Sequence, residues 1–313
     1  MSTNTVSVTH ENVAILSTPI NRGDQPHGVL GKLSRALSPM KGPLATTLKY
    51  ASLVAACLAA VLPLVTIFMA SFKTTQEYRE TGPLDGPENW FNFDNFVTAF
   101  MQGGMVRGFM NTGIILVCAL TGTIIIGTMT AYAIDRFEFR GRKLVVGAFL
   151  LATLVPGVTT QVATFQVVSG LGLFNTLWAG IVLFMGTDII SIYIFLQFIR
   201  AIPRSLDEAA MLDGANRLTI YARVIFPLLR PAIATVIIIK GIAIYNEFYL
   251  PYLYMPKRSL GVISTSLFRF EGPFGAQWEV ICAGTVLVIV PTLVAFLFLQ
   301  RHIYNGLVSG ATK

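Results

Sequence analysis

Six apolar runs limit what this chain can become. They lie at about 48–70, 111–133, 144–167, 176–199, 232–254 and 280–299, each roughly twenty residues long. A helix rises about 1.5 Å per residue, so a run of this length crosses the ~30 Å hydrocarbon core of a bilayer. Water is absent there, and a helix satisfies its own backbone within one segment. The expected fold is therefore all-α, a polytopic membrane protein with six transmembrane helices. Composition agrees: 54% of residues are hydrophobic and only 12% charged, against about 25% charged in soluble domains.

Six spans place both termini on one side, and charge indicates which. Of the 23 Lys and Arg residues, sixteen fall in the two tails and the two loops on the tail side. Six fall in the opposite loops, and Lys240 lies within a span. Acidic residues divide seven against seven, with Asp188 and Glu247 in or near spans. Basic residues accumulate on the cytoplasmic side of a membrane, so cytoplasmic N- and C-termini are expected. The same rule accounts for the net charge of +7 without nucleic acid as a partner. Residues 1–47 are polar and rich in Ser, Thr, Asn, Gly and Pro. They read as a mostly disordered cytoplasmic tail with a short helix near 30–37, leaving 48–313 as the transmembrane domain. No apolar core precedes Leu48, so no cleaved signal is expected.

Covalent chemistry finds little support. Cys57, Cys118 and Cys282 sit inside apolar runs without metal or redox spacing and read as small buried hydrophobes. The three histidines, His10, His27 and His302, form no metal pair, and no nucleophile elbow is present. No Gly-rich loop ends in Gly-Lys-Ser/Thr, so ATP-driven work would need another chain.

The longest charged segment of the second half is residues 205–227, SLDEAAMLDGANRLTIYARVIFP. Ser205 and Glu208 have the spacing of a capping box. Gly214 suits the left-handed position that ends a short helix. Asn216 can cap a second helix, and Pro227, without a backbone donor, limits it. The expectation is a helix–turn–helix on the membrane surface, in which Ala209 and Ala210 allow close approach. Reading DNA is disfavoured, because apolar runs on both sides hold the segment at the bilayer.

In detail this segment resembles the EAA loop of ABC importer permeases. Glu208-Ala209-Ala210, then Gly214, Val224 and Phe226-Pro227 keep that family's spacing; Val and Phe-Pro stand where Ile and Leu-Pro are usual. The resemblance covers about 48–313 and is strongest to the second permease of maltose-type systems. RFEFRG at 136–141 and the tail from Gln300-Arg301 through Asn305-Gly306-Leu307 to Gly310 support it, and FNFDNF at 91–96 resembles an interfacial element of sugar permeases. The resemblance implies a type I permease core in a bacterial or archaeal cytoplasmic membrane. It also implies a coupling helix, with Glu208, Ala209, Ala210, Asp213, Gly214 and Pro227 as ATPase-coupling residues. Implied partners are a second permease, two ATPase subunits that hold the ATP and Mg, and an extracytoplasmic solute-binding protein. No cofactor is expected in this chain.

Ionisable groups inside spans are costly and point to function or to a partner. Lys240 and Glu247, seven apart, are expected on nearly one helical face, roughly 10 Å apart along the axis. Lys240 must face protein, water or a carboxylate, and Asp188 reads as a structural partner of Ser191 or a neighbouring helix. Tyr245-Asn246-Glu247 offers an aromatic face, an amide and a carboxylate, groups that bind sugars, and the resemblance puts an Asn-acid pair here in sugar permeases. A structural role for Glu247 is an equal alternative. Thr153, Pro156, Thr160 and Thr164 are expected on one face of the third span, with Thr160 and Thr164 as tentative pathway residues. An importer for glycerol phosphate or amino acids is the nearest alternative. An ion-coupled secondary transporter would suit Lys240 and Glu247 but leave residues 208–227 unexplained.

Overall fold

The computed structural model describes residues 43–186, 188–272 and 275–311. The N-terminal tail, including the helix expected near 30–37, lies outside them, as do the side chains of the C-terminal tail motif. Met1–Val61 and Leu62–Lys313 form two units. Helix α1 (Pro43–Ala70) begins in the first and ends in the second. All later elements belong to the second unit.

The stretch between the first two apolar runs is partly helical. It carries α2 (Thr75–Glu80), α3 (Asp94–Gln102) and the start of α4 (Met105–Arg136). Asn95 holds it to the end of α1, donating to Ser71 O at 3.0 Å and Lys73 O at 2.7 Å. Phe93 and Phe96 of the FNFDNF element pack around Phe72 with ring centroids 5.8 and 5.1 Å away.

Helix α4 is unbroken and runs through the second apolar stretch. The other middle stretches are interrupted. The third divides into α5 (Arg142–Thr153) and α6 (Gln161–Gly170). Pro156 lacks a donor and pushes the preceding residue out of helical conformation, and turns occupy 154–160. Thr153, Thr160 and Thr164 therefore do not share one helical face, contrary to expectation. The fourth comprises α7 (Leu177–Met185) and α8 (Ile189–Ala201), bent by 42°. The surface segment comes next as α9 (Ser205–Leu212) and α10 (Arg217–Ile220). From α10 the chain continues as a π-turn, Tyr221–Ile225, and a last helical turn, Phe226–Leu228. Helix α11 (Arg230–Asn246) then departs at 69°. Pro227 thus lies within the helical run, and the break falls at Leu229. A π-turn widens the local ladder, and Pro227 at the first turn of its segment needs no donor.

The fifth apolar stretch is broken at Glu247. The Glu247 backbone is extended (φ −69°, ψ 120°), ending α11 before the short α12 (Tyr249–Tyr254). Glu247 is thus the residue that closes the helix carrying Lys240, and the chain turns away after it. Beyond α12 come a small helix α13 (Ile263–Ser266), a two-residue hairpin of β1 (Glu271–Gly272) and β2 (Gly275–Ala276), and α14 (Trp278–Ala311).

Among the described residues, three helices are long and apolar enough to cross a membrane, at Thr46–Ala70, Met105–Arg136 and Trp278–Phe298. Counting each bent pair as one span gives up to five. Two apolar clusters hold the second unit together. One joins Ala131, Ile192, Phe195, Ile199, Ile220, Ile225 and Val236, so α4, α8, α10 and α11 share a core. The other joins Ile115, Ala119, Phe184, Ile244 and Tyr254.

Candidate functional site

The surface segment is anchored on one side and exposed on the other. At its entry Leu206 N donates to Pro203 O at 3.3 Å. Arg204 already has helical dihedrals (φ −66°, ψ −22°), and the first α-helical hydrogen bond runs from Glu208 N to Arg204 O at 3.1 Å. Ser205 therefore sits inside the first turn, and the capping box expected of Ser205 and Glu208 does not form. The exit matches expectation. Gly214 is left-handed (φ +80°), with Gly214 N donating to Met211 O and Ala215 N to Ala210 O, both within 3.0 Å. These two bonds are a Schellman motif, which occupies carbonyls the helix end would leave free. Asn216 then caps α10, its Oδ1 accepting from Thr219 N at 2.8 Å.

Anchoring comes from a group that a polar stretch hides. Asp207 is buried, and its Oδ2 lies 3.1 Å from Nε of Arg136, the last residue of α4; both side chains are 4% exposed. Arg136 also reaches Asp135 Oδ2 at 2.7 Å and Ile202 O at 2.9 Å. Arg204 donates to Asp135 O at 3.1 Å, and Arg200 and Arg142 approach Asp135 Oδ1. The Arg136–Asp207 pair lies in ion-pair range but is misaligned for a hydrogen bond, and Asp207 Oδ1 has no partner. Asp207 is not singled out by the sequence, and Arg136 enters only as the first residue of the RFEFRG motif. The available signal was an acid preceding the Glu-Ala-Ala triplet and a basic residue closing an apolar run.

Both α9 and α10 also expose apolar side chains. Leu212 is 90% exposed, Leu218 66%, and Leu206 and Met211 are also exposed. Glu208, Ala209, Asp213 and Gly214 are exposed beside them, while Ala210 turns inward against the core. Tyr221 joins this segment to α4 through a 2.8 Å hydroxyl contact with Thr128. Around α9, Leu212 points away from Asp207 and Ala210, whereas Leu206 and Met211 flank the anchored side.

The other expected site residues do not form one cluster. Tyr245 donates to Val288 O at 2.9 Å, tying α11 to α14. Asn246 is exposed and lines a crevice of about 340 Å³ with Ile238, Ile242, Thr292 and Phe296. Glu247 Oε1 accepts from Tyr249 N at 2.9 Å and Leu250 N at 3.2 Å, starting α12, and its carbonyl accepts from Ser264. Thr160 and Thr164 sit on another element and bond locally, to Gly157 O and Thr160 O. Lys240 finds Asp188 Oδ2 at 3.4 Å, and the Ser191 hydroxyl donates to the same carboxylate oxygen. That agrees with a structural role for Asp188.

A family described as "Binding-protein-dependent transport system inner membrane component" matches residues 123–307, which include the whole surface segment. The chain belongs to this family. It is 31% identical over 261 residues to the trehalose transport system permease protein SugB of Mycobacterium tuberculosis, covering 81% of this chain and 93% of SugB. It is 27% identical over 256 residues to the arabinooligosaccharides transport system permease protein AraQ of Halalkalibacterium halodurans, covering 81% and 91%. A bacterial ABC transporter that imports the acidic polysaccharide alginate shares the fold, with a TM-score of 0.73 at 19% identity over 82% of this chain and 96% of that one. As a binding-protein-dependent permease, the chain is an inner-membrane transport component, not an enzyme.

Proposed function

We propose that this permease forms half of the translocation pathway of an ATP-driven importer for a sugar or oligosaccharide. In this reading it has six spans and cytoplasmic termini, the two parts of the third apolar stretch counting as one span. A second permease completes the pathway, and two ATPase subunits carry the ATP and Mg. An extracytoplasmic binding protein delivers the solute. Residues 205–227 are the coupling element. The observation that carries this is a short surface helix with Glu208, Leu212 and Asp213 exposed, fastened to α4 by the buried Arg136–Asp207 pair. Force applied to such a helix is delivered to α4 and α11, because a packed core does not yield continuously. The sugar assignment is supported by relatives named for trehalose and arabinooligosaccharides.

Tyr245, Asn246 and Glu247 are proposed to face the pathway near the outer end of α11, with Thr160 and Thr164 on the separate α6 segment. Copurification from the native host tests the assembly: an ATPase, a second permease and a binding protein are expected with the tagged chain. A ligand screen on that binding protein then decides the solute class. A sugar ligand supports the reading, whereas glycerol phosphate or an amino acid as its only ligand overturns the sugar assignment.

A further inference from the structure

Four of the six cations in the outer loops, Arg107, Lys257, Arg258 and Arg269, gather around two adjoining clefts of about 610 and 570 Å³. Arg258 and Arg269 border both. Among the described residues no carboxylate lies within ion-pair distance of Arg107, Arg258 or Arg269, although Glu271 lines the second cleft. Burial, reinforced by the charges of Arg258 and Arg107, holds Arg269 below the usual guanidinium range. Like charges kept together call for an anion between them.

The frame that holds them is fixed. Asn111 of α4 donates to Ser259 O at 3.1 Å and Gly261 O at 2.9 Å, and Thr112 accepts from Ile263 N at 3.0 Å. Arg269 Nη2 donates to Arg258 O at 2.8 Å. Gly104 has φ +65°, and a Cβ there would stand 2.5 Å from Arg269 Nη1; one on Gly261 would stand 3.1 Å from Nη2. The guanidinium therefore occupies a slot that glycine leaves open.

The first cleft also has an apolar wall that a soluble anion would not use. Phe100, Met101 and Met110 line it, with Met101 70% and Met110 63% exposed. From its rim Val106, Met110, Ile114 and Val117, all exposed, descend α4 at helical spacing and so lie on one face. Guanidinium groups above an aliphatic track match a charged phosphodiester with an acyl chain. We propose that Arg107, Arg258 and Arg269 hold the headgroup of an anionic phospholipid, with one acyl chain along Val106, Met110, Ile114 and Val117. The proposed topology enters only in assigning the lipid to the extracytoplasmic leaflet.

The test is native mass spectrometry of the purified transporter complex after equilibration with equal phosphatidylglycerol and phosphatidylcholine. The wild type is expected to retain phosphatidylglycerol preferentially. The double variant Arg107→Gln/Arg258→Gln changes two exposed side chains and should lower that preference roughly tenfold. Met110→Asp should lower retention with the arginines intact, which separates a lipid from a free phosphate. Equal retention of both lipids by the wild type overturns the proposal, as does an unchanged preference in the double variant. If the double variant keeps its lipid but loses binding-protein affinity in lipid-free detergent, the arginines serve an acidic protein surface and the proposal also fails. Reporter fusions near Gly86 read the topology separately; a reversed topology moves the site to the other leaflet without altering the retention measured.

Discussion

Arg136 at the end of α4 and Asp207 in the first turn of α9 stand 3.1 Å apart with almost no solvent access, although 71 positions separate them in sequence. Their pairing makes the surface segment an extension of α4 rather than a loop hung between α8 and α11. Removing Arg136 leaves the Asp207 charge buried and uncompensated, which typically costs about 3–5 kcal/mol. Removing the Asp207 charge leaves Arg136 with Asp135 and Ile202 and should cost less. Asp207→Asn or Arg136→Gln should therefore detach α9 locally while the apolar clusters keep the spans packed. We expect membrane levels at half or more of wild type, ATP turnover that persists, and uptake reduced at least tenfold. Parallel assays of both activities in proteoliposomes check this. Wild-type uptake per ATP in both variants would show that α9 needs no such anchor.

The Lys240–Asp188 pair predicts a different pattern. Its side chains are 22% and 14% exposed, so screening trims its worth and a loss of about 1–3 kcal/mol is expected on breaking it. Lys240→Met leaves the Asp188 carboxylate with Ser191 alone. The double variant Lys240→Met/Asp188→Asn removes both charges and should recover part of the loss. Thermal unfolding of the detergent-solubilised complex measures this. A double variant no more stable than Lys240→Met would mean that the two charges are not coupled.

Hydropathy and capping chemistry set how much of this structure was legible in the sequence. The apolar runs located the helices, because a run of twenty such residues has few other homes. Gly214 and Asn216 located the turn, because each does a local job that few residues can do. Hydropathy is blind to backbone breaks inside an apolar run, so the divisions at Pro156 and at Glu247 were missed. The Ser205–Glu208 pattern does not cap the helix because Arg204 is already helical, which puts Ser205 inside the first turn. Asp207 was illegible for another reason. A charge in a polar stretch reads as solvated unless its distant partner is known, and that partner lies at the far end of α4.

Glu247 can be tested for two roles at once. Its carboxylate accepts from Tyr249 and Leu250 N–H groups, and Gln keeps an acceptor at that place. Glu247→Gln should then preserve α12 and complex assembly, whereas Glu247→Ala loses the cap at about 1 kcal/mol. If the carboxylate also meets the solute, Glu247→Gln should lower uptake at least fivefold with assembly unchanged. Uptake kinetics equal to wild type would leave Glu247 as a capping residue only.

Gly214 offers the sharpest separation of stability from coupling. At φ +80° a side chain is strained, yet a Cβ there would meet nothing within 4 Å. The cost is confined to the backbone, about 1–2 kcal/mol, too little to unfold the packed spans. Gly214→Ala should therefore accumulate normally and keep most of its uptake. Gly214→Asp carries no greater strain, since Asp tolerates the left-handed region better than Ala, and adds a charge beside the exposed Leu212. On a docking face that charge must be desolvated when a partner closes over it. We expect normal membrane levels, weakened retention of the ATPase and uptake lost, with any remaining ATP turnover insensitive to the loaded binding protein. Copurification and uptake measured on the same preparations decide it. If Gly214→Asp and Glu208→Lys both keep normal coupled uptake, residues 205–227 are not the element through which the ATPase acts.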